Sequence, residues 1–217
     1  MSFEAPSTIV GVEQAKDRRR CPHLFSRRMN SNERHLLLDS RNTSISFEVP
    51  WFGVWTVRGT FGRLHGALEL GEERLEQSSV RLDVEAASVD TGIKLRDRHL
   101  RGARFLHADL HPFISFKSTA VCQTRGQIAV EGVLSLRGTE VAVRSTCPLD
   151  DMGGDTETLR LCGGFSVSRH QCKIGVPNGL AGLNPTFPAI ADSVRISVQI
   201  RVPAARFRPV LHRTEVR

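Results

Sequence analysis

From residue 36 onward the chain alternates apolar and polar residues with a period of two. Ile45, Phe47 and Val49 interleave with Ser44, Ser46 and Glu48, and Trp55, Val57, Gly59 and Phe61 interleave with Thr56, Arg58 and Thr60. The pattern recurs at Leu68/Leu70, Val80/Leu82/Val84/Ala86, Ile114/Phe116, Ile128/Val130/Gly132/Leu134/Leu136 and Val141/Val143. It closes with Leu159/Leu161/Gly163/Phe165/Val167 and Val194/Ile196/Val198/Ile200/Val202. Successive side chains of a strand point to opposite faces, so each run predicts a strand with one apolar and one polar face. Short connections such as Gln123–Gly126 and Arg137–Thr139 indicate an antiparallel meander, and closing it removes exposed edges. The stretch from Gly92 to Leu110 departs from this period. There Leu95, His99, Leu100 and Phe105 fit a short helix, with Asp90 or Thr91 placed to cap its start. The predicted fold is all-β: a single antiparallel barrel of about eight strands with a short helical insertion around residues 92–110. Glycines at 59, 132 and 163 suit the bends of a small barrel.

Charge changes the picture at the two ends. The 217 residues carry 30 Lys plus Arg against 23 Asp plus Glu, a net of +7. Residues 1–34 hold seven basic and four acidic side chains, residues 201–217 hold five and one, and residues 35–200 hold eighteen of each. The expected organisation is therefore a basic, flexible N-terminal extension (1–34), a neutral barrel domain (35–202) and a basic C-terminal tail (203–217). With the excess in the ends, no Tyr, and Trp only at positions 51 and 55, specific nucleic-acid binding is not expected. Transient contact of the basic ends with an anionic membrane surface fits them better. No apolar run approaches the ~20 residues of a spanning helix.

Acidic residues interrupt the first 34 positions, and Lys16, Arg18, Arg19 and Arg20 follow rather than precede any apolar stretch, so a cytoplasmic location is expected. The five cysteines (21, 122, 147, 162 and 172) form no CxxC pair, which suits reduced thiols packed as small apolar groups. A Cys162–Cys172 bridge is the alternative.

The segments around the insertion carry a resemblance. Ser88-Val89-Asp90-Thr91-Gly92, Arg96-Asp97, His99-Leu100-Arg101, Phe105-Leu106 and Pro112-x-Ile114-x-Phe116-x-Ser118 are arranged as in the YceI-like family, the bacterial lipocalin-like polyisoprenoid-binding proteins. Gly59-Thr60-Phe61, Gly132-x-Leu134-x-Leu136-Arg137-Gly138 and Ser168-Arg169 fit the same ordered pattern across about residues 36–202. The resemblance implies a barrel around an apolar pocket for a long-chain isoprenoid or fatty-type lipid. It also implies non-enzymatic binding, sequestration or transport, with no cofactor, and a homodimer as in many relatives. After Arg169 this chain has His170-Gln171-Cys172-Lys173-Ile174-Gly175, where the family often has an aromatic and an acidic residue before Gly. The alternative reading is a stress-associated structural or interaction protein with a filled barrel and no dedicated ligand.

On the carrier reading, the candidate ligand-binding residues are Phe47, Val49, Trp55, Val57, Phe61, Leu82, Val84, Ile114, Phe116, Val130, Leu134, Leu161, Phe165, Val194, Ile196 and Val198. Some of these are expected to be core at the closed end. Arg96, Arg101 and Arg169 are candidate headgroup contacts, by way of their guanidinium donors. Two sharper hypotheses fail on the residues themselves. His107, Asp109 and His111 have metal-ligand chemistry, but Pro112 biases His111 to extended backbone and Arg98, Arg101 and Arg104 surround the set with positive charge, so no metal is expected. In the family pattern Arg96, Asp97 and His99 form a structural set, with Asp97 tying the insertion to the barrel. No hydrolase, zincin or phosphate-loop motif occurs, and His170 with Cys172 has no evident third group, so no catalytic residue is expected.

Overall fold

Period-two alternation becomes one continuous antiparallel sheet. The computed structural model describes residues 34–51, 55–71, 74–124, 126–148, 157–175 and 190–204. The expected N-terminal extension and C-terminal tail fall largely outside them. The strands are β1 (Arg34–Asp39), β2 (Thr43–Trp51), β3 (Trp55–Phe61), β4 (Leu64–Leu70), β5 (Ser79–Glu85), β6 (Val89–Asp90), β7 (Phe113–Thr124), β8 (Gln127–Leu136), β9 (Thr139–Pro148), β10 (Thr158–Ser168) and β11 (Ser193–Pro203). One helix, α1 (Lys94–Arg101), lies between β6 and β7.

Among the described residues there are eleven strands, not the expected eight or so, and the reason is local. Three long strands are each broken by a corner. β1 pairs with β4 and β2 with β3, so residues 34–51 and 55–70 form one long hairpin bent in both arms. β4 pairs with β5 and β3 with β6, which extends the same bend into residues 79–90. Each corner has its own ties. Asn42 accepts from the Asp39 amide and Thr43 hydroxyl, Gly62 N–H donates to Ser88 O, and a 3-10 turn spans Ala86–Ser88. Counting each broken pair as one bent strand, the ladder runs through β7, β8, β9, β10 and β11 and returns through β11–β2 to its start. The sheet therefore rolls into a barrel. Its thinnest seam is β9–β10, registered only at Gly164 and Thr146.

Polar faces point outward, where exposed pairs such as Glu48–Arg58 at 2.8 Å are worth little to stability. Apolar faces point inward and form two packed groups. At one end Leu68, Leu70, Val121, Ile128, Cys147, Leu159 and Val202 gather around Leu75 of a 3-10 turn (Leu75–Gln77). At the other, Ala86, Val89, Leu134, Leu136, Val141 and Val143 pack with Leu106, Ala108 and half-buried Leu100 of the helical insertion. Between them, inward-facing Phe116, Val130, Leu161, Ile196 and Val198 are only half-buried.

The insertion differs in detail from the expected capping. α1 begins after Ile93, which makes no side-chain cap bond. Asp90 instead accepts from the Gly92 amide at 2.8 Å, and Gly92 takes φ +78°. Asp97 reaches back from the helix to Thr91, accepting from its amide at 2.9 Å and its hydroxyl at 2.5 Å. Asp97 is 5% exposed, so this tie seats the helix on the end of β6 as anticipated. Cys147, Cys162 and Cys172 are free thiols, so no Cys162–Cys172 bridge forms, whereas Cys122 is disulfide-bonded, against the expectation of a wholly reduced set.

Candidate functional site

The half-buried inner wall surrounds a cavity of about 670 Å³. This lies within the range of roughly 300–1,000 Å³ that small-molecule pockets occupy. The wall is almost wholly hydrocarbon. Its polar members are Ser78, Ser79, Ser145, Arg96, His99 and Arg169.

Two strand glycines help to keep the bore open. A Cβ at Gly59 would lie 2.4 and 2.6 Å from ring carbons of Phe47, its cross-strand partner, and one at Gly132 would lie 2.5 Å from the ring of Phe116. Both rings thus occupy space that a side chain at the glycine would take, close against the strand. Besides suiting a bend, as at Gly132 opposite the irregularity between Ser118 and Ala120, these glycines seat aromatic rings. Phe47 and Phe61 pack with ring centroids 5.6 Å apart on the same wall.

Fifteen of the sixteen sequence-chosen hydrocarbon residues line this cavity: Phe47, Val49, Val57, Phe61, Leu82, Val84, Ile114, Phe116, Val130, Leu134, Leu161, Phe165, Val194, Ile196 and Val198. Trp55 does not. It shares the parity of Val57 and Phe61, yet it is the first residue of β3, at the hairpin tip opposite Trp51, and is 69% exposed. Alternation sets which way a side chain points but not how far along the barrel it sits. Trp51 lines the cavity in its place and continues the series 45/47/49 that announced it. The larger omission is the insertion apart from Arg96, where Ile93, Leu95, His99, Leu100 and Phe105 also contribute to the wall. Ile93 and Leu95 do so while 52% and 60% exposed, which puts the mouth of the cavity at α1.

The three candidate arginines separate. Arg101 does not line the cavity, because its Nη2 donates to Val89 O at 3.0 Å and holds the helix to β6. Arg96 lines the mouth, with Nε donating to the Thr91 hydroxyl at 2.7 Å and Nη2 to Thr91 O at 2.8 Å. Arg169 is 5% exposed and donates to three carbonyls, Ala191 at 3.1 Å, Ile174 at 3.2 Å and Ile190 at 3.0 Å. Burial pulls its pKa down from the ordinary arginine range, partly opposed by the charge of Asp192. Of five N–H donors on a guanidinium, Arg169 thus commits three to backbone carbonyls, and Arg96 commits one to the Thr91 hydroxyl and one to its carbonyl. Burial likewise pushes the Cys172 thiol up, which makes it a poor nucleophile. His107 and His111 stack edge to face with centroids 5.8 Å apart. Among the described residues no three His, Cys, Asp or Glu side chains gather as a metal site.

Comparison with known proteins follows the same line. The family model described as YceI-like domain matches residues 37–202. A UPF0312 protein of Vibrio cholerae is 32% identical over 111 residues, which are 50% of this chain and 59% of the relative, so the match spans under two thirds of that relative's length. The barrel superposes on the crystal structure of Burkholderia cenocepacia BcnA with a TM-score of 0.65 at 18% identity, covering 76% of this chain and 99% of that one. A polyisoprenoid binding domain from Saccharophagus degradans implicated in plant cell wall breakdown gives 0.55 at 13% identity, covering 77% and 96%. At such identities the structural likeness speaks for the fold.

Proposed function

Because the chain belongs to the YceI-like family and its barrel is hollow, we propose that it binds, sequesters or carries a long-chain isoprenoid or similar amphiphilic lipid, without catalysing a reaction on it. The carrying observation is the cavity of about 670 Å³ with a hydrocarbon wall. The filled-barrel alternative meets an interior that the side chains of the described residues leave open. Each buried methylene contributes about 0.8 kcal/mol, so roughly ten of them account for micromolar affinity with no hydrogen bond at all. Hydrocarbon contacts discriminate poorly between prenyl and fatty chains, so selectivity falls to length and headgroup. In this reading the tail occupies the space between Phe116, Val130, Leu161 and Val198. The headgroup rests at the α1 mouth, where the donors of Arg96 left over from Thr91 and the imidazole of His99 are within the wall. Arg101 is dropped from the headgroup set on its geometry.

A fluorescent polyene fatty acid displaced by polyprenol tests this. Wild-type protein is expected to bind the probe at micromolar concentration and to release it to polyprenol, while Leu161→Trp, which fills the bore, loses both. A wild type that takes up no displaceable probe overturns the proposal.

A further inference from the structure

At the mouth of the cavity exposed apolar side chains stand beside cationic ones. Ile93 and Leu95 are more than half exposed at its rim, and Trp55, 69% exposed, stands at the hairpin tip paired with the cavity residue Trp51. Leu95 belongs to a basic helix, α1, and Ile93 immediately precedes it. Between Ile93 and Arg104 the chain carries five cationic side chains and one carboxylate, although residues 35–200 as a whole are neutral. That one carboxylate, Asp97, is buried against Thr91. α1 also divides cleanly by face. Arg96, His99 and Leu100 line the cavity, while Lys94, Arg98 and Arg101, at i, i+4 and i+7, share the other side and are exposed.

Apolar side chains projecting beside cationic ones, at the entrance to a lipid-sized cavity, match an anionic bilayer surface: phosphate for the cations, the acyl boundary for the apolar tip. The geometry points to the α1 mouth as a docking face for anionic membranes, with Lys94 and Arg98 contacting headgroups and Trp55, Ile93 and Leu95 entering the interface. Docked in this way, the mouth opens onto the lipid phase and a chain passes from bilayer to barrel without crossing water. The inference takes its purpose from the carrier reading above, but docking is measurable apart from it.

The test is flotation of the full chain with vesicles of phosphatidylcholine containing about one third phosphatidylglycerol. Wild type is expected to float with them, less so in high salt and hardly at all with phosphatidylcholine alone. Each cation held near an anionic surface adds to the attraction, so K94E/R98E is expected to weaken partitioning at least tenfold and the milder K94Q/R98Q by less. Affinity for the soluble polyene probe is expected to stay at the wild-type value in both variants. Brominated phospholipid is expected to quench the fluorescence of W51F, whose remaining tryptophan is Trp55, and to quench W55F far less. Wild-type flotation by K94E/R98E would assign the contact to the basic ends and overturn the inference, as would an unquenched Trp55. Loss of flotation in K94E/R98E with no probe binding by wild type would uphold the docking face while removing the carrier reading.

Discussion

Replacing Gly59 by Ala tests the seating of aromatic rings against the barrel wall. The added Cβ lands 2.4 and 2.6 Å from ring carbons of Phe47 and 2.8 Å from Cγ2 of Thr91, against ordinary carbon contacts of roughly 3.5–4.0 Å. The overlap is about 1 Å and the nearest atoms belong to side chains, so the Phe47 ring has to swing off the wall and into the bore. Overpacking of this kind costs about 1–3 kcal/mol. For a domain of this size that lowers the midpoint of thermal unfolding by about 2–4 °C per kcal/mol. Phe47→Ala alone is also destabilising, by less than the roughly 3–5 kcal/mol of a fully buried Phe. In the Phe47→Ala background the ring clash is gone, and only the Thr91 methyl opposes the roughly 0.5–1 kcal/mol that Ala gains over Gly in a strand. A urea-denaturation double-mutant cycle is therefore expected to show about 1–3 kcal/mol of coupling between the two positions. Probe affinity is expected to fall in Gly59→Ala and to recover in the double variant. Costs that add within about 0.5 kcal/mol would refute the ring-seating argument.

Three further outcomes follow from the ties around the mouth. Asp97→Ala removes the two bonds to Thr91 and is expected to cost about 1.5–3 kcal/mol, with hydrogen exchange rising first in α1 and β6. Arg169→Ala orphans the carbonyls of Ile174, Ile190 and Ala191 at an expected cost of about 2–3 kcal/mol by urea denaturation, and Arg169→Lys is not expected to restore it, because an ammonium cannot span the three. Asp192 is held below the usual carboxylate range chiefly by the His170 amide, then by the Ser168 hydroxyl. Its folded pKa being lower, its contribution is present above the ordinary value of 3.8 and lost as pH falls through the folded value. Asp192→Asn should flatten the acid limb of stability below about pH 4, measured by pH-jump thermal unfolding.

The wall of the cavity was legible because period two sets the facing of every side chain in a strand, and a one-residue error would have inverted the whole list. Height along the barrel carries no such signal, so parity points to Trp55 as readily as to Trp51, which extends the series 45, 47 and 49 and is the one that lines the cavity. The corners at residues 40–42, 62–63 and 86–88 interrupt strands without interrupting their apolar sum, which hides them from periodicity. The contributions of Ile93, Leu95, Leu100 and Phe105 depend on where α1 docks, a tertiary fact. Asp97 is legible as a tie, but its partner Thr91 is not, because on sequence alone either Asp90 or Thr91 could cap the helix. The arginines were legible as donors only. That Arg101 turns to Val89 and Arg169 to three carbonyls follows from local backbone placement, which no charge count reveals.

A carrier purified from cells brings its lipid with it, held in the hydrocarbon-lined bore. Organic-solvent extraction of purified protein with quantitative mass spectrometry of the extract measures that directly. Close to one long-chain amphiphile per chain is expected, carried by wild type and absent from Leu161→Trp. An empty extract, from protein that also takes up no polyprenol when incubated with it, would rule out lipid carriage.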